Sequence, residues 1–93
     1  DVYSLGVVLW ELLAGRHPFP QPSGAVRDVL PRLVSNRRRP PDVRSVNVEV
    51  SPALAAIVAR CLSPNPDDRY ATARQLQEDL ARQLSDQPLQ PQS

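Results

Sequence analysis

The apolar segment at residues 1–15 constrains the fold of this chain more than any other feature. Nearly every residue in it is apolar or small, and the polar exceptions, Asp1, Ser4 and Glu11, stand apart from one another. A helix that is apolar all round has no face for solvent, so we expect it to be buried on all sides. Because a bilayer span needs about 20 apolar residues, the segment predicts a core helix, which Gly15 is expected to end.

This helix stands at the start of the printed sequence, where no preceding residues are available to cover half of its surface. The chain has 93 residues and no methionine. We therefore expect it to be a portion of a larger protein. A chain of this length holds at most one small domain.

The composition excludes several kinds of chemistry. All eleven basic residues are arginines, so no lysine can bind a phosphate or form a Schiff base. The net charge of +1 gives no indication of a nucleic-acid partner or of membrane contact. Cys61 is the single cysteine, which excludes an internal disulfide and a cysteine-based metal site. No signal peptide is recognisable, and we expect a cytoplasmic location, with any membrane anchor of a parent protein outside this chain.

A proline-rich loop and a second helix are expected after the first. Prolines at positions 18, 20 and 22 predict an extended loop, which Phe19 is expected to anchor on the core. Ser23 is a candidate N-cap for a helix whose apolar residues lie between positions 26 and 34 at helical spacing. Pro31 lies inside that pattern and is expected to kink the helix or to split it in two.

Two amphipathic helices are expected in the second half of the chain. The four valines in residues 42–50 indicate an extended connector rather than a sheet strand. Ser51 is a suitable N-cap for the third helix, and Thr72 and Gln75 form a capping-box pair for the fourth. Residues 85–93 are rich in Gln, Pro and Ser, which predicts a disordered tail. The predicted fold class is all-α.

Three segments, taken in this order and spacing, resemble the C-terminal lobe of a eukaryotic-like Ser/Thr protein kinase of the bacterial type. Residues 1–6, Asp-Val-Tyr-Ser-Leu-Gly, are similar to the kinase motif Asp-x-(Trp/Tyr)-Ser-x-Gly on the central helix αF. Pro18 and Phe19 are similar to the Gly-x-x-Pro-Phe segment that follows that helix. Residues 61–72 resemble the pattern Cys-Leu-x-x-x-Pro-x-x-Arg-(Tyr/Pro)-(Ser/Thr). The resemblance implies that residues 1–84 are the αF-to-αI part of a kinase domain with an overall α+β fold.

The resemblance implies structural roles for four residues. Asp1 matches the αF aspartate, whose carboxylate accepts hydrogen bonds from backbone N–H groups of the catalytic loop. Val8 and Leu12 match αF positions on which the hydrophobic spines of the family rest. Arg69 matches the arginine that pairs with the glutamate of the Ala-Pro-Glu motif, and a guanidinium can hold a carboxylate in two parallel hydrogen bonds. Without the family context, Asp1 reads as a simple N-cap and Arg69 as a solvated arginine.

A substrate-docking role is a further possibility for four charged residues. Glu11 matches a position where some kinases recognise basic substrates. The alternative interpretation is an ordinary surface residue. Arg37, Arg38 and Arg39 follow the helix that matches αG, a surface that kinases often use for partners. The alternative for this run is an ordinary solvated charge cluster. Cys61, on the apolar face of its helix, is expected to be a buried, inert thiol.

The motifs that carry phosphoryl transfer are absent from the sequence: the Gly-rich loop, the phosphate-binding lysine, His-Arg-Asp, Asp-Phe-Gly and Ala-Pro-Glu. We therefore expect no catalytic, cofactor or metal site in these 93 residues, and no activity of the chain alone. ATP and Mg²⁺ are implied only for a parent kinase, whose partners would be protein substrates and the rest of its own domain. The alternatives are a pseudokinase or regulatory lobe, and a free-standing helical interaction domain.

Overall fold

The computed structural model describes residues 1–19 and 24–85, and in these two ranges it contains four α-helices and no strand. The helices are α1 (Val2–Ala14), α2 (Val26–Arg38), α3 (Pro52–Cys61) and α4 (Ala73–Leu84), with 3₁₀ turns at Val43–Ser45 and Pro66–Asp68. The all-α prediction is confirmed. The predicted cap at Ser23 and nearly all of the predicted disordered tail lie outside the described residues.

The first helix begins and ends where the sequence predicts. The Asp1 carboxylate accepts a hydrogen bond from the Tyr3 N–H at 2.9 Å, which satisfies one of the free N–H groups of the first turn. Gly15 adopts the left-handed conformation with φ of 77° and donates its N–H to the Glu11 carbonyl at 2.8 Å. A glycine adopts this conformation without steric strain, so it stops the helix.

The core forms where α1 crosses α3. Trp10 is 1% exposed and packs with Val43 and Val58, while its Nε1–H donates to the Pro41 carbonyl at 2.9 Å. Gly6 is the closest point between the two helices, since a Cβ there would lie 2.5 Å from the Cβ of Cys61. The missing side chain thus sets the spacing of α1 and α3.

The second helix differs from its prediction. It continues through Pro31, so the predicted split does not occur. Pro31 is exposed, and water can therefore bond the Arg27 carbonyl that has lost its helical partner. The N-cap is Ala25, which makes no side-chain cap hydrogen bond. The helix buries no residue completely, and its apolar side chains at Val26, Leu30 and Val34 are all more than half exposed.

The segment between α2 and α3 is turned rather than extended as predicted. Asp42 caps the 3₁₀ turn Val43–Ser45 by accepting from the Arg44 N–H at 3.0 Å. The Arg44 side chain then closes the segment, because its Nε donates to the Val50 carbonyl at 2.9 Å. This turn lets both Val43 and Val50 point into the core, which an extended chain with alternating side chains would not explain.

The last two helices follow the predicted capping chemistry. The Ser51 hydroxyl accepts from the Leu54 N–H at 3.1 Å, and the Thr72 hydroxyl accepts from the Gln75 N–H at 3.2 Å. Gln75 forms a variant of the capping box. Its side-chain Oε1 accepts from the N–H of Ala71, at 2.9 Å, rather than from that of Thr72. No helix in the described ranges is long and apolar enough to cross a bilayer.

Candidate functional site

Two of the predicted site residues, Asp1 and Arg69, meet at the N-terminal end of α1. Both line a cavity of about 370 Å³, and Tyr3 and two of the arginines that end α2 line the same cavity. The two arginines are Arg37 and Arg38. The structure thus brings together residues that are 68 positions apart in sequence, and it places three guanidinium groups around one exposed carboxylate.

Arg69 is held in place by backbone groups. Its Nε donates to the Ser63 carbonyl at 2.7 Å and its Nη2 to the Pro64 carbonyl at 3.5 Å. The guanidinium lies 4.6 Å from the centre of the Tyr3 ring, within the range of a cation–π contact. These contacts use Nε and Nη2 of the guanidinium and so fix its orientation. The remaining N–H groups can still donate to a carboxylate.

The hydroxyl of Tyr3 adds an unsatisfied group at the same place. Its oxygen is buried, and no residue in the described part of the chain hydrogen-bonds to it. Buried polar groups in native proteins are nearly always bonded. The Tyr3 hydroxyl therefore favours a further polar group against this end of α1.

The outward face of α1 carries the other two residues that the resemblance assigns to a structural role. Val8 is 51% exposed and Leu12 is 76% exposed, and Leu5, one turn earlier, is 41% exposed. Their spacing places them in one row on the helix. The prediction that α1 is buried on all sides is therefore wrong for the described residues alone, because only the face with Gly6 and Trp10 is covered.

The four candidate docking residues do not form one patch. Glu11 lies beside His17, with 3.7 Å between its Oε1 and the histidine Nε2. The Arg37 guanidinium stacks 5.0 Å from the Phe19 ring centre and, like Arg38, faces the cavity at Asp1. Arg39 instead lines a different groove, on the side of the loop that follows α1. Arg39 is the residue just after α2, and its φ of −135° and ψ of 76° are not helical, so it does not continue the row of Arg37 and Arg38.

Sequence reasoning missed a buried polar network between α3 and α4. Asp79 is fully buried, accepts a hydrogen bond from the Tyr70 hydroxyl at 2.6 Å and pairs with Arg82 at 3.3 Å. The Arg60 guanidinium covers the Tyr70 ring at 4.1 Å. Burial, followed by the hydrogen bond to Asp79, raises the pKa of Tyr70 above its ordinary value. The available signal was the position of Asp79 three residues after Leu76, on the apolar side of α4.

We expect Tyr70→Phe to lower the free energy of unfolding of the complete protein by about 1.5–3 kcal/mol, the usual contribution of a hydrogen bond to a charged group. The substitution removes the hydrogen bond that the Tyr70 hydroxyl donates to the buried Asp79 carboxylate. Urea unfolding followed by circular dichroism measures it. Ser63→Ala removes an exposed hydroxyl with a weak bond of 3.4 Å and serves as the control. Equal effects of the two changes would contradict the importance of the buried pair.

The single cysteine is structural, as predicted. Cys61 is fully buried, and burial raises its pKa to about 12. Burial thus disfavours the thiolate, which is the reactive form. We expect no alkylation of Cys61 by iodoacetamide at pH 8 in an hour and complete alkylation in 6 M guanidinium, read by peptide mass spectrometry. Rapid labelling of the native protein would show that α3 is not packed as described.

The described residues contain no cluster of three or more His, Cys, Asp or Glu side chains that could hold a metal ion. The residues around Asp1 and Arg69 therefore do not fit a Mg²⁺ site. One carboxylate and three guanidinium groups are suited to hydrogen bonds and ion pairs.

Comparison with known proteins gives the family of the chain. The sequence profile of the family described as protein tyrosine and serine/threonine kinase matches residues 1–80. The serine/threonine-protein kinase PknB of Mycolicibacterium smegmatis is 43% identical over 82 residues, which cover 88% of this chain and 12% of that protein. PknB of Mycobacterium leprae is 41% identical over 88 residues, 95% of this chain and 14% of that protein. The serine/threonine-protein kinase Pkn1 of Myxococcus xanthus is 42% identical over 72 residues, which cover 77% of this chain and 10% of that protein.

The four-helix arrangement is that of the helical C-terminal lobe of a protein kinase, and this chain belongs to the protein kinase family. Its relatives are named as bacterial serine/threonine-protein kinases. The chain spans only 10–14% of the length of these three relatives.

Proposed function

We propose that residues 1–84 are the αF-to-αI part of a Ser/Thr protein kinase that transfers the γ-phosphoryl group of ATP to hydroxyl groups of protein substrates. In this proposal α1 is αF, and α2, α3 and α4 are αG, αH and αI. The segment supplies a scaffold for the catalytic elements and part of the docking surface for substrates. The chain belongs to the kinase family, and the activity is carried by the complete protein.

The observation that carries the proposal is the meeting of Asp1 and Arg69 at one cavity. The family resemblance assigns the first to holding the catalytic loop and the second to holding the activation segment. These two elements have to be fixed relative to one another for phosphoryl transfer, since small displacements of reacting groups cost large factors in rate. In this proposal the N-terminal end of α1 supports both elements and fixes their relative position.

Two further features support the assignment. The apolar row of Leu5, Val8 and Leu12 is exposed in the described residues, and in the proposal other parts of the kinase domain cover it. The buried Tyr3 hydroxyl lacks a partner among the described residues, and the same neighbouring segments would supply one. Val8 and Leu12 then act as structural supports rather than as a surface for solvent.

The proposal assigns docking to the charged residues on the substrate side. Arg37, Arg38 and Arg39 would attract acidic stretches of a protein substrate, and Glu11 would contact basic ones. ATP and Mg²⁺ are cofactors of the complete kinase in this proposal. The sequence of this chain contains none of the motifs that hold them, so no step of the reaction is assigned to its residues.

Transfer of labelled phosphate from ATP by the complete protein tests the proposal. We expect incorporation into Ser or Thr of a general protein substrate. Asp1→Ala should lower kcat/KM by about 100-fold through displacement of the catalytic loop. Arg69→Ala should lower it by about tenfold, because it leaves a buried carboxylate without its donor.

Arg74→Ala is the matched control. It removes a guanidinium from α4 that is 88% exposed and forms a surface ion pair with Glu78 at 3.6 Å, and we expect less than a twofold change. Wild-type protein that folds and transfers no phosphate would overturn the kinase activity and favour a pseudokinase. Activity that responds equally to all three substitutions would overturn the scaffold roles of Asp1 and Arg69.

A further inference from the structure

A second groove lies between the end of α2 and the loop that follows α1. Its volume is about 670 Å³, in the range of ligand-binding clefts. It does not share a lining residue with the cavity at Asp1. Charged, polar and apolar side chains surround it, and the principal ones are Arg16, Arg39, Ser35, Asn36, Phe19 and Pro41.

The floor of this groove is apolar and fixed. Phe19 is 1% exposed, stacks nearly parallel to Tyr3 with 6.5 Å between ring centres, and donates its N–H to Nδ1 of His17 at 3.1 Å. The Phe19 ring is therefore fixed and covered, with Tyr3 and the Arg37 guanidinium against it. The apolar surface open to a ligand is that of Pro41, which is partly exposed and lines the same groove. A preformed surface reduces the entropy lost on binding.

The rim is positively charged. Arg16 and Arg39 stand on the two elements that form the groove, and in the described part of the chain neither forms an ion pair. Among the residues that the structure describes, no carboxylate lines the groove. The nearest acidic residue on α1, Glu11, is directed to His17.

The sequence around the groove has the same bias. Residues 16–44 contain seven arginines and two carboxylates, whereas the rest of the chain contains four arginines and eight carboxylates. The net charge of +1 therefore hides a strongly basic half, which attracts anionic partners to this side of the molecule.

The polar residues between the rim and the floor are suited to a peptide. Ser35 and Asn36, in the last turn of α2, line the same groove as Arg39. They offer a hydroxyl and an amide, which can bond to backbone carbonyls or to carboxylates. The arginines present fork-shaped donors that match carboxylate geometry.

We propose that this groove binds an acidic segment of a protein, with carboxylates on Arg16 and Arg39 and an apolar side chain against Pro41. The combination of a basic rim with an apolar floor favours a peptide over a free anion, which would use only the rim. If the proposed kinase function holds, the segment belongs to a substrate, and the groove selects substrates with acidic stretches away from the phosphorylated residue.

Fluorescence anisotropy on the complete protein, without ATP, tests the binding. The probe is a fluorescein-labelled peptide Gly-Glu-Glu-Leu-Glu-Glu-Gly, and the comparison peptide has Gln in place of each Glu. We expect saturable binding of the first peptide only. The double variant Arg16→Ala, Arg39→Ala should bind it about five- to tenfold more weakly, as expected for the loss of two exposed ion pairs.

Arg32→Ala is the matched control, because it removes one guanidinium from α2 without altering the groove. It should change the affinity by less than about twofold. No binding of the acidic peptide, an equal loss with Arg32→Ala, or equal competition by oligothymidine would each overturn the proposal and indicate only a general attraction of anions.

A kinetic arm separates this proposal from the kinase assignment. A Ser-containing substrate joined to the acidic peptide should show a KM that rises about five- to tenfold in the double variant, with kcat unchanged. The same substrate joined to the glutamine peptide should be unaffected. If the protein transfers no phosphate, the proposed function fails while the anisotropy result still decides whether the groove binds the acidic segment.

Discussion

Replacing Trp10 with alanine in the complete protein is expected to lower the free energy of unfolding by about 3–5 kcal/mol, the range for removing a buried aromatic side chain. Trp10 is 1% exposed and lies where α1, the 3₁₀ turn after α2 and α3 meet. The change leaves a cavity and also leaves the Pro41 carbonyl without the indole N–H that bonds it at 2.9 Å. Urea unfolding monitored by circular dichroism measures the loss.

Two controls separate packing from the hydrogen bond. Trp10→Phe keeps much of the apolar volume and removes the donor, so we expect a smaller loss, about 1–2 kcal/mol. Val48→Ala shortens a side chain that is 76% exposed and should change stability by less than about 0.5 kcal/mol. If Trp10→Ala were no more harmful than Val48→Ala, Trp10 would not be the centre of the core.

The second large effect is expected at Gly6. A Cβ at this position would lie 2.5 Å from the Cβ of Cys61 and 3.2 Å from Cδ2 of Leu62. The Cys61 contact involves an atom next to the backbone, which cannot rotate away, so α1 and α3 have to separate. We expect Gly6→Val to cost about 3 kcal/mol and Gly6→Ala less, since overpacking usually costs 1–3 kcal/mol.

Whether Gly6→Ala raises or lowers the free energy of unfolding shows whether this position is open or crowded. Alanine favours helix over glycine by about 1 kcal/mol, so a glycine with room around it would be stabilised by this substitution. Ser4→Ala, on an exposed position of the same helix, reports the propensity effect without a clash. The same unfolding measurement applies, and a Gly6→Ala protein as stable as the Ser4→Ala protein would contradict the close crossing of α1 and α3.

Local chemistry made parts of the fold predictable. Asp1, Ser51 and Thr72 cap their helices because the groups that need hydrogen bonds lie within three residues of each cap. Gly15 ends α1 for a similarly local reason. The anchoring of Phe19 was also predictable, since a lone large apolar residue in a polar loop gains most by burial.

The errors concern features that depend on distant parts of the chain. The periodicity of α2 predicts an apolar face, but no local signal shows that this face is exposed at Val26, Leu30 and Val34. The tolerance of Pro31 follows from that exposure, since water can replace the lost helical bond. The burial of Asp79 depends on Tyr70, which reaches it from outside α4.

The residues of the candidate site could be predicted from the sequence, whereas their relative positions in space could be predicted only in part. Asp1 and Arg69 were selected from motif resemblance, and the structure places both at one cavity. The run of three arginines suggests one patch in sequence, whereas Arg39, just after the end of α2, lines a different groove from Arg37 and Arg38. Arg16 gave no signal by itself, because its significance comes from lying opposite Arg39 across a groove.

We propose that α1 is the central helix of a kinase C-terminal lobe. Other parts of the complete protein then cover its outer face. Leu12 on α1 and Val48 in the turned segment are each 76% exposed in the described residues, which makes them a matched pair of probes. Leu12→Cys and Val48→Cys can be labelled with a maleimide in the complete protein, and peptide mass spectrometry gives the rate at each site. Cys61 serves as a buried reference.

We expect the maleimide to label the cysteine of Leu12→Cys about 100-fold more slowly than that of Val48→Cys, because labelling at a covered site requires local opening. Both proteins should first show a cooperative thermal transition, so that slow labelling is compared in folded samples. Equal labelling rates at the two positions in the folded complete protein would contradict the claim that α1 is covered.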